Sequence, residues 1–297
     1  MRGPALMITA MLVLAGCSGG SAANAPLVFA AIPTEESTSL EQSFTPVIKM
    51  LSKETGREIR FQKATDYATV IEAQRAGRVD IAMYGPLSYV MARNSGLDLT
   101  PAGALVKERG GQQGYRSYGV VKAGSNVRSL VDARGKKVCF VEPNSTSGRL
   151  YPAAALKQAG VDPDKDISPV MAGGHDASVL AVASGQCDIG FAYDAMVDRQ
   201  LPDKNQIKPG EITKVWQSDV IPGSPAAVRS SLEPKLRDQL VQLLREKANG
   251  DYLRSQGYCT DKCLVGDGGY WGFVQVDDAF YNSVRTVCAV TKDKQCQ

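Results

Sequence analysis

Short apolar runs alternate with longer amphipathic stretches along most of this chain of 297 residues. A run that is apolar at every position or every second position predicts a strand, and apolar residues three or four apart predict a helix. The predicted strands lie at 27–32, 58–62, 79–84, 102–106, 117–121, 138–141, 169–172, 188–193, 214–218 and 226–228. The predicted helices lie at 40–55, 67–75, 87–94, 148–159, 176–184 and 234–249. This alternation predicts an α/β fold built of βαβ units with parallel or mixed sheets.

The order of these elements predicts two α/β lobes. Residues 26–119 begin the first lobe, residues 120–220 form the second, and residues 221–297 return to the first and add a segment that carries cysteines. The chain beyond residue 25 is long enough for two such cores. Because a cleft between two lobes is a favoured site for a small molecule, we expect the ligand there.

The first 25 residues have a different pattern, which predicts export. A charged start at Met1-Arg2 is followed by an apolar run too short to span a bilayer and then by Leu-Ala-Gly-Cys at 14–17. Leu-Ala-Gly-Cys resembles the bacterial lipobox, which predicts a lipid anchor at Cys17 and a flexible tether over 18–25. The alternative is an ordinary signal peptide, with Cys17 incidental. Either interpretation places the mature protein in the periplasm or, if anchored, at the outer face of the cytoplasmic membrane.

The net charge and the cysteine content narrow the possible partners of the protein and the chemistry of its cysteines. The formal net charge is only +3 and no basic run is present, which argues against a nucleic-acid partner. An even number of further cysteines in an exported chain predicts disulfides, although Cys259 and Cys263 also have a spacing that metal ligands use. With a single histidine in the chain, disulfides are favoured over metal, and Cys139–Cys187 is the favoured pair because both lie early in strands of one βαβ region. The candidates are Cys139, Cys187, Cys259, Cys263, Cys288 and Cys296.

Three hydroxyl residues stand where the helix after strand 138–141 begins. Taken alone, Ser145-Thr146-Ser147-Gly148 is most simply a helix cap, since serine and threonine satisfy free amides at helix starts. The same place can also hold an oxyanion, because helix starts offer free N–H groups and a positive dipole end. His175, which precedes the helix at 176–184, has the same two interpretations.

Position favours the second interpretation. In parallel α/β sheets, ligands bind beyond the carboxyl ends of the strands, and several polar residues follow strand ends here. Two more, Tyr115 and Ser224, fall near the predicted crossings between the lobes. Hydroxyls, amides and one imidazole without lysine or arginine suit a tetrahedral oxyanion, because neutral donors make strong hydrogen bonds to anions. The residues past strand ends are Tyr84, Ser145, Thr146, Ser147, His175 and Asp194.

Four segments resemble one known family over nearly the whole mature chain. They are DYATVIEAQRAGRVDIAMYGPLSYVMA (66–92), PNSTSGRLYP (143–152), AGGHDASVLAVASGQCDIGFAYD (172–194) and IPGSPAAVR (221–229). The chain is identified by them as resembling the periplasmic phosphonate/phosphate/phosphite-binding proteins of ABC importers, the PhnD type. The resemblance implies a two-lobe, type II periplasmic-binding-protein fold. It also implies a solute-binding protein that captures a phosphorus oxyanion and delivers it to an ABC permease. Together with the lipobox, this predicts a lipid-anchored monomer without metal or cofactor.

The resemblance also implies roles for individual residues. The hydroxyls and amides of Ser145, Thr146 and Ser147 would hold the phosphorus oxygens, and His175 would donate to the same group. Tyr67 and Tyr115 match family tyrosines that reach the ligand from the other lobe. Tyr84 matches a strand-end tyrosine of the family.

The chain departs from the members of the family that bind aminoethylphosphonate. Those members place a carboxylate in the turn that here reads Ile-Pro-Gly-Ser-Pro at 221–225, so Ser224 stands where they have aspartate. Asp194 is the remaining acidic candidate, and two interpretations stay open: it accepts a hydrogen bond from a protonated P–OH, or it is an exposed helix cap. A buried ammonium needs a carboxylate partner, so the sequence predicts against strong selectivity for amines.

Two other functional classes compete with this one. An enzyme could use the same cleft, but the chain has no G-x-S-x-G elbow, Walker loop or metal-ligand cluster. A lipoprotein sensor or envelope scaffold could use the same fold, and the sequence does not separate it from an importer component.

Overall fold

A computed structural model of this chain describes residues 25–35, 39–111, 113–260 and 263–296. Cys17 and the predicted leader up to residue 24 lie outside the described residues. No helix in the described ranges is long and apolar enough to cross a membrane.

The described residues form eleven strands in two sheets. The strands are β1 (Leu27–Ala31), β2 (Ile59–Lys63), β3 (Ile81–Met83), β4 (Leu99–Val106), β5 (Ser117–Lys122), β6 (Lys137–Phe140), β7 (Ser168–Met171), β8 (Ile189–Tyr193), β9 (Ile212–Gln217), β10 (Pro225–Arg229) and β11 (Gly272–Val274). Lobe 1 is built on the sheet β11-β4-β10-β3-β1-β2, and lobe 2 on the sheet β7-β6-β8-β5-β9.

The same residues form nine α-helices. They are α1 (Ser39–Thr55), α2 (Tyr67–Arg75), α3 (Pro86–Asn94), α4 (Tyr151–Gln158), α5 (His175–Ala183), α6 (Leu201–Asp203), α7 (Pro234–Glu246), α8 (Gly250–Ser255) and α9 (Asn282–Thr291). Two π-helical segments, Thr146–Leu150 and Met196–Gln200, lead directly into α4 and α6. Short 3-10 turns lie at Leu130–Ala133, Asp278–Tyr281 and Lys294–Cys296.

Both sheets are mixed in the same way. In lobe 1, β1, β2 and β3 run parallel, while β10 is antiparallel to β3 and β4. In lobe 2, β6, β7 and β8 run parallel, and β5 is antiparallel to β8 and β9. β10 and β5 each enter their lobe from the other one, so the crossover sets their direction, while β11 is antiparallel to β4 at the edge of the lobe 1 sheet. The α/β class and the type II binding-protein fold predicted from the sequence are confirmed.

Burial explains why the apolar runs form the central strands. Every residue of β3, β8 and the Val138–Phe140 part of β6 is buried, as expected for parallel strands that are covered on both faces. Local chemistry sets several helix starts: the Asp66 side chain accepts from Thr69 N–H at the start of α2, and α3 begins at Pro86, which needs no N–H partner. The helices α8 and α9 and strand β11 of the C-terminal region are elements that the apolar pattern did not predict.

Two close antiparallel contacts join the crossovers between the lobes. The Tyr115 N–H donates to the Ile221 carbonyl at 3.0 Å, and the Ile221 N–H donates to the Tyr115 carbonyl at 2.8 Å. The C-terminal helix adds a third link, since the Lys157 ammonium of lobe 2 donates to the Thr291 carbonyl at the end of α9. These contacts therefore connect the two lobes at one side of the cleft.

The cysteines of the described residues form three disulfides, Cys139–Cys187, Cys259–Cys263 and Cys288–Cys296. The predicted Cys139–Cys187 pair is confirmed, and it joins β6 to the turn before β8. Cys259 and Cys263 pair with each other, which leaves no thiolates there for a metal.

Candidate functional site

A small cavity lies between the lobes, beyond the carboxyl ends of β1, β3, β6 and β8. The volume open to the centre of a water-sized sphere is about 50 Å³. One water needs roughly 10–15 Å³ on this measure, so the cavity has room for a few waters or for one tetrahedral oxyanion. Its lining consists of Ala31, Ile32, Thr34, Leu40, Phe44, Tyr67, Met83, Tyr84, Gly85, Leu105, Tyr115, Ser145, Thr146, Ser147, His175, Tyr193, Ser224, Asp267 and Tyr270.

The hydroxyl cluster predicted from the sequence forms one wall of this cavity. Ser145, Thr146 and Ser147 are buried at the start of the π-helical turn before α4. Ser145 Oγ accepts from the Gly148 N–H at 3.0 Å and so caps the turn. A side chain at Gly148 would clash with Val141 and with Ser145 Oγ, so glycine is required for the turn to approach β6 this closely. The first N–H groups of this turn have no partner within the helix, and they lie beside the hydroxyls.

His175 completes this wall from the start of α5. Burial lowers the pKa of His175 to about 3, so the ring is neutral at physiological pH. The Tyr193 N–H donates to His175 Nδ1 at 3.2 Å. Because Nδ1 accepts, the neutral ring carries its hydrogen on Nε2, which lies 3.4 Å from Ser145 Oγ. The imidazole is therefore held as a neutral Nε2–H donor at the cavity.

Two tyrosines reach the same wall from the other side of the cleft. The Tyr67 side chain, at the start of α2, lines the cavity beside Ser145. The Tyr115 side chain, from the first crossover, lines it beside Thr146 and Ser147. Burial raises the pKa of both phenols, so both remain neutral donors. The structure thus brings together the hydroxyl wall and the two tyrosines predicted from the sequence.

Tyr84 and Ser224 also line the cavity, but they differ in what their polar groups do. The Tyr84 hydroxyl donates to Gln74 Oε1 at 2.6 Å, so its hydrogen is used within lobe 1 and is not available to a ligand. Ser224 accepts from the Leu105 N–H through its carbonyl at 3.0 Å and presents no charge. Tyr84 therefore contributes ring surface, and Ser224 contributes a small neutral residue.

Asp194 is not among the residues that line the cavity. Asp194 Oδ2 accepts from Lys107 Nζ at 2.6 Å and from the Arg116 N–H at 3.1 Å, and Oδ1 accepts from the Ala195 N–H at 2.7 Å. Its side chain is 7% exposed, so it is not an exposed helix cap. It follows β8 one residue later than Tyr193, which takes the place at the cavity.

The carboxylate that does line the cavity is Asp267, which the sequence prediction missed. Asp267 lies in the turn Val-Gly-Asp-Gly-Gly-Tyr at 265–270, outside the βαβ pattern. Its only sequence signal is an aspartate between glycines. Thr34 and Tyr193 were also missed, although both follow or end a parallel strand and the strand-end rule would have included them.

The lobes are closed on each other around the cavity. The Leu87 N–H at the start of α3 donates to Thr146 Oγ1 at 2.8 Å, and the His175 N–H donates to the Thr34 carbonyl at 3.0 Å. Lys204 of lobe 2 forms an ion pair with Glu35 of lobe 1 at 2.6 Å. Because these contacts cross the cleft, the cavity exists only in the closed arrangement.

The described lining residues include no lysine, no arginine and a single histidine. No group of three or more His, Cys, Asp or Glu side chains that could hold a metal occurs in the described part of the chain. The chemistry that this wall offers is a set of fixed neutral donors, which suits an oxyanion.

Comparison with known proteins agrees with this geometry. Residues 29–281 match the family described as ABC transporter, phosphonate, periplasmic substrate-binding protein. The chain is 46% identical over 280 residues to the phosphate-import protein PhnD of Mycolicibacterium smegmatis, covering 91% of this chain and 87% of that protein.

Two crystal structures share the fold. One is a binding-protein component of an ABC phosphonate transporter from Pseudomonas aeruginosa, with a TM-score of 0.79, 26% identity, and coverage of 91% of this chain and 87% of that one. The other is PhnD1 of Prochlorococcus marinus in complex with methylphosphonate, with a TM-score of 0.76, 22% identity, and coverage of 90% and 98%. The chain belongs to the family of periplasmic phosphonate-binding proteins of ABC transporters.

Proposed function

We propose that this protein captures a small phosphorus oxyanion, namely phosphate, phosphite or a simple phosphonate, and delivers it to the permease of an ABC importer. In this proposal Ser145, Thr146, Ser147 and His175 hold the oxygens from lobe 2. Tyr67 and Tyr115 reach the same group from lobe 1. The protein acts as a monomer and as a carrier, without catalysis.

The observation that carries this proposal is the convergence of neutral donors from both lobes on one small cavity. Residues that carry several hydroxyls and one Nε2–H group line a space large enough for about one tetrahedral ion. In a dry cavity, such preorganised donors bind an anion without a paired cation. Because the donors come from both lobes, only the closed form makes all the contacts, and we infer that residues 120–220 close on the rest when ligand binds.

We also propose that Cys17 carries a lipid anchor that keeps the protein at the outer face of the cytoplasmic membrane. The support is the Leu-Ala-Gly-Cys motif at 14–17. Cell fractionation tests this: we expect the wild-type chain in the membrane fraction and Cys17→Ala released, and a soluble wild-type chain would contradict the anchor.

The oxyanion site is tested by replacing Ser147 with alanine. A hydrogen bond to a charged group contributes about 1.5–3 kcal/mol, so Ser147→Ala is expected to weaken binding roughly 10- to 100-fold. Calorimetry with phosphate, phosphite, methylphosphonate and aminoethylphosphonate provides the measurement.

The matched control is Ser178→Ala. Ser178 is equally buried in lobe 2, but its hydroxyl donates to the Cys139 carbonyl and accepts from the Phe191 N–H, away from the cavity. This variant should lose stability and keep its affinity. Unchanged affinity in Ser147→Ala, or no binding of any of these ions to the wild-type protein, would contradict the proposed function.

A further inference from the structure

Asp267 brings a carboxylate into the same cavity as Ser145, Thr146, Ser147 and His175, which together form the donor wall. It lies in a turn whose ends pair with each other: the Val265 N–H donates to the Tyr270 carbonyl at 2.8 Å, and the Tyr270 N–H donates back at 3.0 Å. Gly266 and Gly269 have φ values of 69° and 60°, a conformation that favours glycine. The backbone of the turn therefore fixes where the carboxylate lies.

Side chains of lobe 2 hold this turn from the other side of the cleft. Gln200 Nε2 donates to the Asp267 carbonyl at 2.6 Å, and the Arg199 guanidinium donates to the carbonyls of Gly268 and Gly269. Both residues belong to the π-helical segment Met196–Gln200. The cation of Arg199 is thus bound to backbone carbonyls, and the carboxylate is left to other donors.

Those donors are neutral. The hydroxyls of Thr34 and Tyr193 donate to Asp267 Oδ2, the second at 3.2 Å, and the Gly268 N–H donates to Oδ1 at 2.8 Å. Among the described residues, no lysine or arginine forms an ion pair with Asp267. Burial accordingly raises the pKa of this carboxyl, and the hydrogen bond from Thr34 acts in the opposite direction.

A carboxylate is a poor lining for a site that is meant to hold an anion. Two negative groups in one water-poor cavity repel each other, and neither has a cation to offset the repulsion. A single hydrogen between a carboxylate oxygen and a ligand oxygen changes this repulsion into a charge-assisted hydrogen bond. The placement of Asp267 is therefore useful only for an oxyanion that shares a proton with it.

We infer that Asp267 makes this cavity specific for oxyanions that carry a P–OH hydrogen, such as hydrogen phosphate. The same carboxylate disfavours the binding of anions without such a hydrogen, such as sulfate. This inference rests on the proposed function and names the ligand class more narrowly. The P–OH group donates to an Asp267 oxygen while the remaining oxygens accept from the donor wall. No bond breaks, and the proton stays between the two oxygens.

The proton count is the same whichever oxygen holds the proton. Hydrogen phosphate facing a carboxylate and a fully deprotonated ion facing a carboxylic acid contain one shared proton each. Phosphate brings this proton with it at neutral pH. Sulfate does not, so a sulfate complex requires Asp267 to take a proton from water, and its affinity falls accordingly.

A rival role for the same carboxylate is to pair with the ammonium of an aminophosphonate. The cavity argues against this, because about 50 Å³ leaves little room for an aminoethyl arm beside the phosphorus group. Three neutral donors already occupy the carboxylate, which leaves about one acceptor position.

The test compares phosphate and sulfate binding by calorimetry in the wild-type protein and in Asp267→Asn. We expect the wild type to prefer phosphate about 100-fold or more, and the variant to lose at least about tenfold of that preference, because an amide N–H can donate to sulfate. Asp194→Asn is the matched control, since it neutralises a buried aspartate outside the cavity and should keep the wild-type preference. An unchanged preference in Asp267→Asn overturns the inference.

Two other outcomes are informative. If the wild type binds none of the phosphorus oxyanions, the proposed function itself fails. If aminoethylphosphonate binds more tightly than phosphate and loses this advantage in Asp267→Asn, the carboxylate is an amine partner and the inference is overturned.

A second measurement needs no variant to fold. At about pH 9, methylphosphonate and the carboxylate of the open protein are both ionised, so binding should take up about one proton, seen as a dependence of the calorimetric heat on the buffer. The other groups around Asp267 do not supply this uptake: the buried phenols of Tyr193 and Tyr270 have raised pKa values, Glu35 is paired with Lys204, and Arg199 stays charged. Binding without proton uptake overturns the inference.

Discussion

Asp194, which is buried, and Asp267, which is half-buried, are two aspartates beside the same cleft, and they differ in what neutralises them. Asp194 has a lysine at 2.6 Å and two backbone amides, while Asp267 has two hydroxyls and one amide. A carboxylate with a cation of its own has little need of a ligand. A carboxylate held only by neutral donors still carries an uncompensated charge, and it faces the cavity. Burial alone therefore does not identify a binding residue, whereas the identity of its partners does.

The contrast between Asp194 and Asp267 would disappear if a cation formed in the cavity near Asp267. His175 is the residue of the cavity lining that could become such a cation, by protonation of its imidazole. Tyr193 links the two, since its N–H donates to the imidazole and its hydroxyl donates to the carboxylate. Burial lowers the pKa of His175 to about 3, so the unfolded chain binds a proton near pH 6.5 that the native state refuses.

We therefore expect His175 to make the protein less stable as pH falls from about 6.5 to about 3, by at most about 1.4 kcal/mol per pH unit. The stabilisation is fully present above pH 6.5. Urea unfolding of wild type and His175→Gln over this range is the measurement, and the difference between the two isolates the histidine from the carboxylates. Parallel curves would mean that His175 protonates freely in the folded protein.

The Asp194 half of the contrast is tested by removing its cation. Lys107→Met leaves a buried carboxylate with two backbone amides, which should cost roughly 1–3 kcal/mol in the free energy of unfolding. Asp194→Asn should cost less, because the amide keeps an acceptor. In the double variant the losses should be less than additive by about 0.5–3 kcal/mol. Neither single variant should alter the ratio of phosphate to sulfate affinity, and a change in that ratio would return Asp194 to the site.

A third carboxylate near the cleft, Glu142, extends the comparison of the two aspartates, and we expect its effect on ligand affinity to be the smallest of those predicted. Its carboxylate accepts from the Asn144 N–H at 2.6 Å and lies near the Tyr67 backbone across the cleft, and burial raises its pKa to about 7. A raised pKa means that closure is most favourable when Glu142 is protonated, and that this contribution is lost as pH rises through about 7.

We expect affinity relative to Glu142→Gln to fall several-fold between about pH 5 and about pH 8, less than for a fully buried group because Glu142 is partly solvated. Calorimetry of both proteins with the same ligand at each pH cancels the ligand's own titration. A constant ratio of affinities would show that Glu142 remains ionised on closure.

Much of the site was predictable because it follows from local chain order. Ser145, Thr146, Ser147 and His175 stand after parallel strands, and the carboxyl ends of such strands meet at one edge of a sheet. Their grouping therefore needs only the alternation of strands and helices. Asp194 also follows a parallel strand, but Tyr193 lines the cavity in its place, because successive side chains at a strand end point in opposite directions.

The sequence by itself determined the α/β class, the two lobes, the helix-start donors and the favoured Cys139–Cys187 pair, since all of these depend on periodicity or on near neighbours. Only the tertiary structure decided which aspartate faces the cavity. Asp267 is 92 residues beyond His175 in the chain, and a glycine-rich turn has no periodic pattern to place it. Its partners come from the end of β1, the end of β8 and a π-helical segment of lobe 2, and contacts between such distant segments exist only after both lobes have folded and closed.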